Sequence, residues 1–203
     1  SSERRCSGPS PDDQPALRPG VRGPLSMIIV ISGPGGVGKG TVVSRLLERD
    51  RRGRPRLPDA PTLDFNVTHT GDAAMFGLVE TRGVRIGVDL ERASRSVNDV
   101  GLARRVCTSR EREALAALEE NARRLAFLRL WTCKEAMSKA TGDALAAPFR
   151  HLDVAREPNL ALVAGPPPYT PREWALHSVE VPDGFIGTLA LPGSHRRQQS
   201  SHR

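Results

Sequence analysis

The sequence predicts an α+β domain over about residues 51–192, and three observations carry that expectation. An alternating run places Val84, Ile86, Val88 and Leu90 on one side of a strand and Arg85, Gly87, Asp89 and Glu91 on the other. A helix-period stretch then fills residues 97–142. After it, "EWALHSVEVPDGFIGTLAL" reads as a hairpin across Pro182-Asp183-Gly184.

The elements follow in order. Residues 1–26, rich in Pro, Gly, Ser and Arg, have the composition of a disordered leader, with Met27 a candidate start just before the first strand pattern. "MIIVIS" supplies a strand, "GPGGVGKG" a glycine-rich turn and "TVVSRLLERD" an amphipathic helix. Together they read as a phosphate-binding loop, in which Gly33 and Gly38 let backbone N–H groups approach an anion and Lys39 adds charge. A basic, proline-punctuated connector, "RRGRPRLPDAPTLD", comes next. "FNVTHTGDAAMFGLVETRGVRIGVDLE" is expected to form two strands separated at Thr-Arg-Gly, with Thr68 and His69 just after a strand. Thr108 followed by Glu111 predicts a capping box, and a longer helix over "NARRLAFLRLWTCKEAMSKATG" is expected to stop at Gly142. Residues 193–203 read as a basic disordered tail.

Composition limits the function classes. Hydrophobic residues make up 38% and aromatics 4%, and no apolar run approaches the ~20 residues of a membrane span. The formal charge of +7 suits an anionic ligand or an acidic partner protein. The aromatics do not interleave with the basic runs as a single-strand nucleic-acid groove requires, so no nucleic acid is expected. Cys6, Cys107 and Cys133 are too few and scattered for a disulfide framework or a zinc site. With no secretory pattern at the front, a cytoplasmic location is expected.

Three groups of residues could carry chemistry. Asp89 and Glu91 offer two carboxylates from one strand face, a start for a hard divalent cation. Trp131, Glu135 and Lys139 follow one another at i, i+4 along one helix face, so Glu135 would add a third carboxylate and Lys139 a proton donor. Arg54, Thr68 and His69 are residue types that hold a phosphate. Each has a plainer reading: solvated carboxylates, a surface ion pair between Glu135 and Lys139, a hydrogen-bonded structural histidine and a core tryptophan. Of 30 basic residues only Lys39, Lys134 and Lys139 are lysines, and the pair in "CKEAMSK" hints at a transferable proton, which arginine cannot supply.

"GRPRL", "FNVTHTG", "IGVDLE" and "LAFLRLWTCKEAMSKATG", in this order and spacing, resemble the 4'-phosphopantetheinyl transferases of the surfactin-synthetase type. The family pattern is a Gly-Lys/Arg-Pro turn, FN-x-SHS-G, a G-x-D-x-E strand and a W-x-x-KE-x-x-x-K helix, and here Thr68 and Thr70 stand in place of serines. The resemblance implies transfer of the phosphopantetheine arm of coenzyme A to a serine of an acyl or peptidyl carrier protein by a monomeric enzyme. By matched position, Asp89, Glu91 and Glu135 would bind Mg²⁺, and Glu135 would also help take the serine proton. Lys139 would serve the leaving phosphate, and Arg54, Thr68 and His69 would hold the 3'-phosphate and adenosine end.

Family members have two similar α+β halves around a cleft. The matched residues cover the end of the first half and all of the second, while residues 27–50 resemble the start of a guanylate kinase or related nucleoside monophosphate kinase. The expected fold is therefore transferase-like over 51–192, with its first half incomplete and a phosphate-loop strand and helix, 27–50, replacing lost elements or dangling. Two other functions compete: a catalytically impaired module that binds coenzyme A or a carrier protein, and a nucleoside monophosphate kinase built on Lys39.

Overall fold

A computed structural model describes residues 25–32, 48–49, 54–56, 60, 62–156 and 159–192. The strands are β1 (Leu25–Ser32), β2 (Glu48–Arg49), β3 (Pro55–Arg56), β4 (Leu63–Thr70), β5 (Ala73–Glu80) and β6 (Gly87–Arg92). Helices α1 (Asp99–Val106), α2 (Ser109–Ala116) and α3 (Glu120–Thr141) follow, then β7 (Asp153–Ala155), β8 (Ala161–Ala164), β9 (Trp174–Val179) and β10 (Phe185–Pro192). Two three-stranded antiparallel sheets, ordered β1-β5-β4 and β6-β10-β9, stand beside the small pairs β2-β3 and β7-β8. The α+β expectation holds. Among the described residues no helix is long and apolar enough to cross a membrane.

Two local expectations are corrected. "FNVTHTGDAAMFGLVE" is a hairpin, with β4 and β5 pairing from Leu63↔Glu80 to Thr70↔Ala73 around Gly71-Asp72. A two-residue turn opening on glycine is a hairpin signal that the strand propensity on both flanks conceals. Thr68 and His69 consequently lie inside β4, not after it, and point to opposite faces: Thr68 is buried and His69 exposed.

The segment ahead of the phosphate loop does not dangle as far as it is described. All eight residues of β1 pair antiparallel with β5, from Leu25↔Glu80 to Ser32↔Ala73. Gly33, Gly38 and Lys39, and the helix expected after them, lie outside the described residues.

Strand β6 is covered on both faces. Val84, Ile86, Val88 and Leu90 pack with Met75, Val79 and Leu189 in the core between the sheets. The opposite face, expected to be free of the core, lies under α3, so Asp89 and Glu91 are only 5% and 8% exposed. Gly87 permits this approach: a Cβ there would sit 1.8 Å from the Ala136 carbonyl oxygen. The far side of α3 buries Phe127, Leu130 and Met137 in a larger core with Leu115, Phe149, Leu152, Tyr169 and Trp174. Gly142 ends α3 with φ of 82°, a left-handed cap that a side chain would strain, and the capping box of Thr108 and Glu111 opens α2.

One edge of β6 pairs with β10; the other meets side chains of β4. Asp64 accepts from the Ile86 N–H at 2.8 Å, and Asn66 accepts from the Val88 N–H at 3.0 Å. Thr68 donates to Asp89 Oδ1 at 3.2 Å. Asp64 and Asn66 thus satisfy buried backbone donors along an edge that would otherwise leave them unpaired, and Thr68, next on the same face of β4, binds the Asp89 side chain.

Candidate active site

The close packing of α3 on β6 brings together five of the expected site residues. Lys139 Nζ lies 2.6 Å from Asp89 Oδ1 and also donates to Thr68 Oγ1 at 3.1 Å and the Val88 carbonyl at 3.3 Å. Lys139 therefore turns across to β6 instead of pairing along the helix with Glu135. No hydrogen bond or ion pair to the Glu135 carboxylate forms among the described residues. Glu91 accepts from Trp131 Nε1 at 3.2 Å and pairs with Arg95. Trp131, expected as plain core, packs against the core while its indole N–H orients a carboxylate.

The electrostatics mark a concentrated negative site. Burial raises the Glu135 carboxyl above its ordinary range; the charges of Asp89 and Glu91 push the same way, against Lys139. Burial likewise raises Glu91, with Arg95 opposing and Asp89 reinforcing. Asp89 Oδ2 is buried and accepts no hydrogen bond, although such an acceptor normally has a partner.

As they stand, no three His, Cys, Asp or Glu side chains among the described residues form a metal-holding group. The donor set still suits a hard cation. It consists of carboxylate oxygens, one of them buried without a hydrogen-bond partner, and the charge of Asp89 adds to burial in raising the proton affinity of both Glu91 and Glu135.

Other expected residues have different places. Lys134 is no proton donor to this site: it is wholly buried, 2.6 Å from Glu111, and donates to the Val106 and Phe149 carbonyls. Arg54, expected to hold a phosphate, lies under β4 with its guanidinium engaged. Its side chain is 6% exposed, paired with Asp64 and donating to the main-chain carbonyls of Phe65, Ile86 and Lys139. His69 stays on the exposed face of β4, outside the hydrogen-bond network around Asp89. Asp64, Asn66 and Arg95 were not singled out in the sequence. The polar alternation at residues 64, 66 and 68 was a legible signal for the first two, whereas nothing local marks Arg95.

The family model of the 4'-phosphopantetheinyl transferase superfamily matches residues 85–190, which hold β6, all three helices and most of the second sheet. The chain belongs to the 4'-phosphopantetheinyl transferase superfamily. It is similar to the 4'-phosphopantetheinyl transferase HetI of Nostoc sp. (strain PCC 7120), with 32% identity over 147 residues, 71% of this chain and 59% of that protein. With the 4'-phosphopantetheinyl transferase Sfp of Bacillus subtilis (strain 168) it shares 26% over 123 residues, 56% of this chain and 53% of that protein. The chain thus spans little more than half the length of these two relatives of the superfamily. A crystal structure of a holo-(acyl-carrier-protein) synthase from Bacillus anthracis in complex with CoA (3',5'-ADP) aligns at a TM-score of 0.44 and 20% identity. It covers 54% of this chain and 96% of that one.

Proposed function

We propose that this protein transfers the 4'-phosphopantetheine arm of coenzyme A to a serine of an acyl or peptidyl carrier protein, as a monomer. The observation that carries the reading is the convergence of Asp89, Glu91 and Glu135 with Lys139 where α3 crosses β6, inside the segment matched by the superfamily. Asp89, Glu91 and Glu135 would hold Mg²⁺, which when bound supplies positive charge against the charge building on the pyrophosphate oxygens.

In this reading the serine oxygen forms a bond to the β-phosphorus of coenzyme A, and the bond from that phosphorus to 3',5'-ADP breaks. Glu135, with its raised proton affinity, takes the serine proton directly or through one water. Lys139 would meet the charge on the departing phosphate, exchanging its contact with Asp89 for one with the product. Thr68 fixes Asp89 and Lys139 relative to one another, and the exposed His69 is free to meet the 3'-phosphate or adenosine end. The basic balance of the chain favours polyanionic coenzyme A and an acidic carrier protein. Buried Cys107 and Cys133, unpaired thiols pushed up to about 11 and about 12 by burial, accord with the reducing cytoplasm where the reaction would take place.

The test is intact-protein mass spectrometry of an apo carrier protein incubated with the full chain, coenzyme A and Mg²⁺. A phosphopantetheine mass gain that disappears with Glu135→Gln supports the reading; absence of any gain overturns it. A second reading, a binding module without turnover, is favoured by the two cations, Lys139 and Arg95, that already occupy the carboxylates. It expects calorimetric binding of coenzyme A with no transfer.

A further inference from the structure

Among the described residues, the one Arg54 guanidinium engages the Asp64 carboxylate and the main-chain carbonyls of Phe65, Ile86 and Lys139. Nη2 pairs with Asp64, donates to the Ile86 carbonyl at 2.7 Å and lies 3.4 Å from the Phe65 carbonyl. Nη1 donates to the carbonyl of Lys139. Asp64, in turn, accepts from the Ile86 N–H at 2.8 Å. The arginine and its carboxylate thereby join β4, the residue that leads into β6 and the last turn of α3.

The position on α3 has consequences for Lys139. The last four carbonyls of a helix lack intrahelical partners, and the negative end of the helix dipole favours a cation there. Arg54 meets the Lys139 carbonyl, and Arg85 lies 3.3 Å from that of Thr141. The main chain of Lys139 is held by Arg54, while its ammonium group is held by Asp89 and Thr68. A phosphate claiming the same guanidinium would have to displace Asp64 and the carbonyl contacts of a side chain that is 6% exposed.

The geometry points to Arg54 as a positioning residue, which with Asp64 clamps the end of α3 against β4 and β6 so that Lys139 addresses Asp89, and not as a binder of the 3'-phosphate of coenzyme A. The inference rests on the transfer reading for its kinetic consequences. Lysine keeps the charge but cannot reproduce a planar fork that reaches several acceptors at once, so it should not restore the clamp.

The experiment measures transfer by wild type, Arg54→Lys and Arg54→Gln with two donors, coenzyme A and 3'-dephospho-coenzyme A. The clamp predicts that kcat falls by roughly 10- to 100-fold with both donors alike, as for a displaced catalytic group, while KM and the wild-type ratio between donors persist. A selective rise in KM for coenzyme A with loss of its advantage over the dephospho form would overturn the assignment, and so would unchanged kinetics. Hydrogen exchange at Ala140–Asp143 in the same folded variants tests the clamp without turnover. Faster exchange there is expected, and unchanged protection contradicts it. If wild type transfers nothing, the transfer reading fails, and the exchange data still decide whether Arg54 anchors the helix.

Discussion

Glu135 is held in a place unfavourable to its own charge, and the direction of that effect can be tested. Its folded proton affinity is raised by burial and then by Asp89, so the folded state binds more protons than the unfolded state above the ordinary carboxylate range. Stability therefore falls as pH rises through that window. Glu135→Gln should abolish carrier-protein modification yet leave the melting temperature at pH 7 equal to or above that of wild type, without added metal. Scanning calorimetry at pH 7 and pH 4 checks the sign, because the gain should vanish at the lower pH. Lys134, one residue earlier, behaves in the opposite way. Lys134→Met leaves Glu111 charged in a site where the pair is at most 2% exposed, and should cost about 3–5 kcal/mol in urea unfolding.

At the scale of elements, the α3–β6 contact is the most exacting. Gly87→Ala places a methyl group against the backbone of α3, which cannot retreat without separating Glu135 and Lys139 from Asp89. Loss of transfer together with a lowered melting temperature is expected, and a variant with wild-type activity and stability would contradict the packing. A second junction ties α2 to β7, where Arg110 grips Asp153 with two nitrogens at 2.7 Å each. The hydrogen bonds to Arg110 hold the Asp153 carboxyl below its usual range. A lowered carboxylate contributes stability above its unfolded value, which is lost as pH falls through its folded value. Arg110→Ala should therefore cost about 0.5–1 kcal/mol at pH 7, since Arg110 is over half exposed, and almost nothing near pH 2. Paired urea titrations at the two pH values check this.

On the scale of the whole molecule, the sheets and α3 make a single layered arrangement in which β6 lies between helix and sheet. Because β1 completes one edge of the β4-β5 hairpin, we propose that residues 25–32 belong structurally with the domain expected over 51–192. A chain lacking residues 1–32 would uncover the β5 edge, so a lower melting temperature and concentration-dependent association are expected in size-exclusion chromatography. A truncated protein as stable and monodisperse as the full chain would detach β1 from the domain.

What was legible in the sequence was periodic or punctuated. The strand expected through Val84–Leu90 (it begins at Gly87), the capping box at Thr108, the stop at Gly142 and the β9–β10 hairpin all appear, because each depends on residues within a few positions of one another, although β6 is buried on both faces. The family resemblance rested on short patterns of that kind. Tertiary structure decided which groups meet. It separated two lysines five residues apart, setting Lys134 on Glu111 in the core and Lys139 on Asp89 in the site. It drew Arg54 into a clamp and turned Trp131 to Glu91. These pairings join positions from 10 to 85 residues apart; those of Lys139, Arg54 and Trp131 depend on how α3 settles on β6 and how β4 lies along its edge, and that of Lys134 on how α2 packs against α3. Local spacing could nominate the carboxylates and cations, but their partners were decided by burial and by competition among charges brought together only in the folded chain.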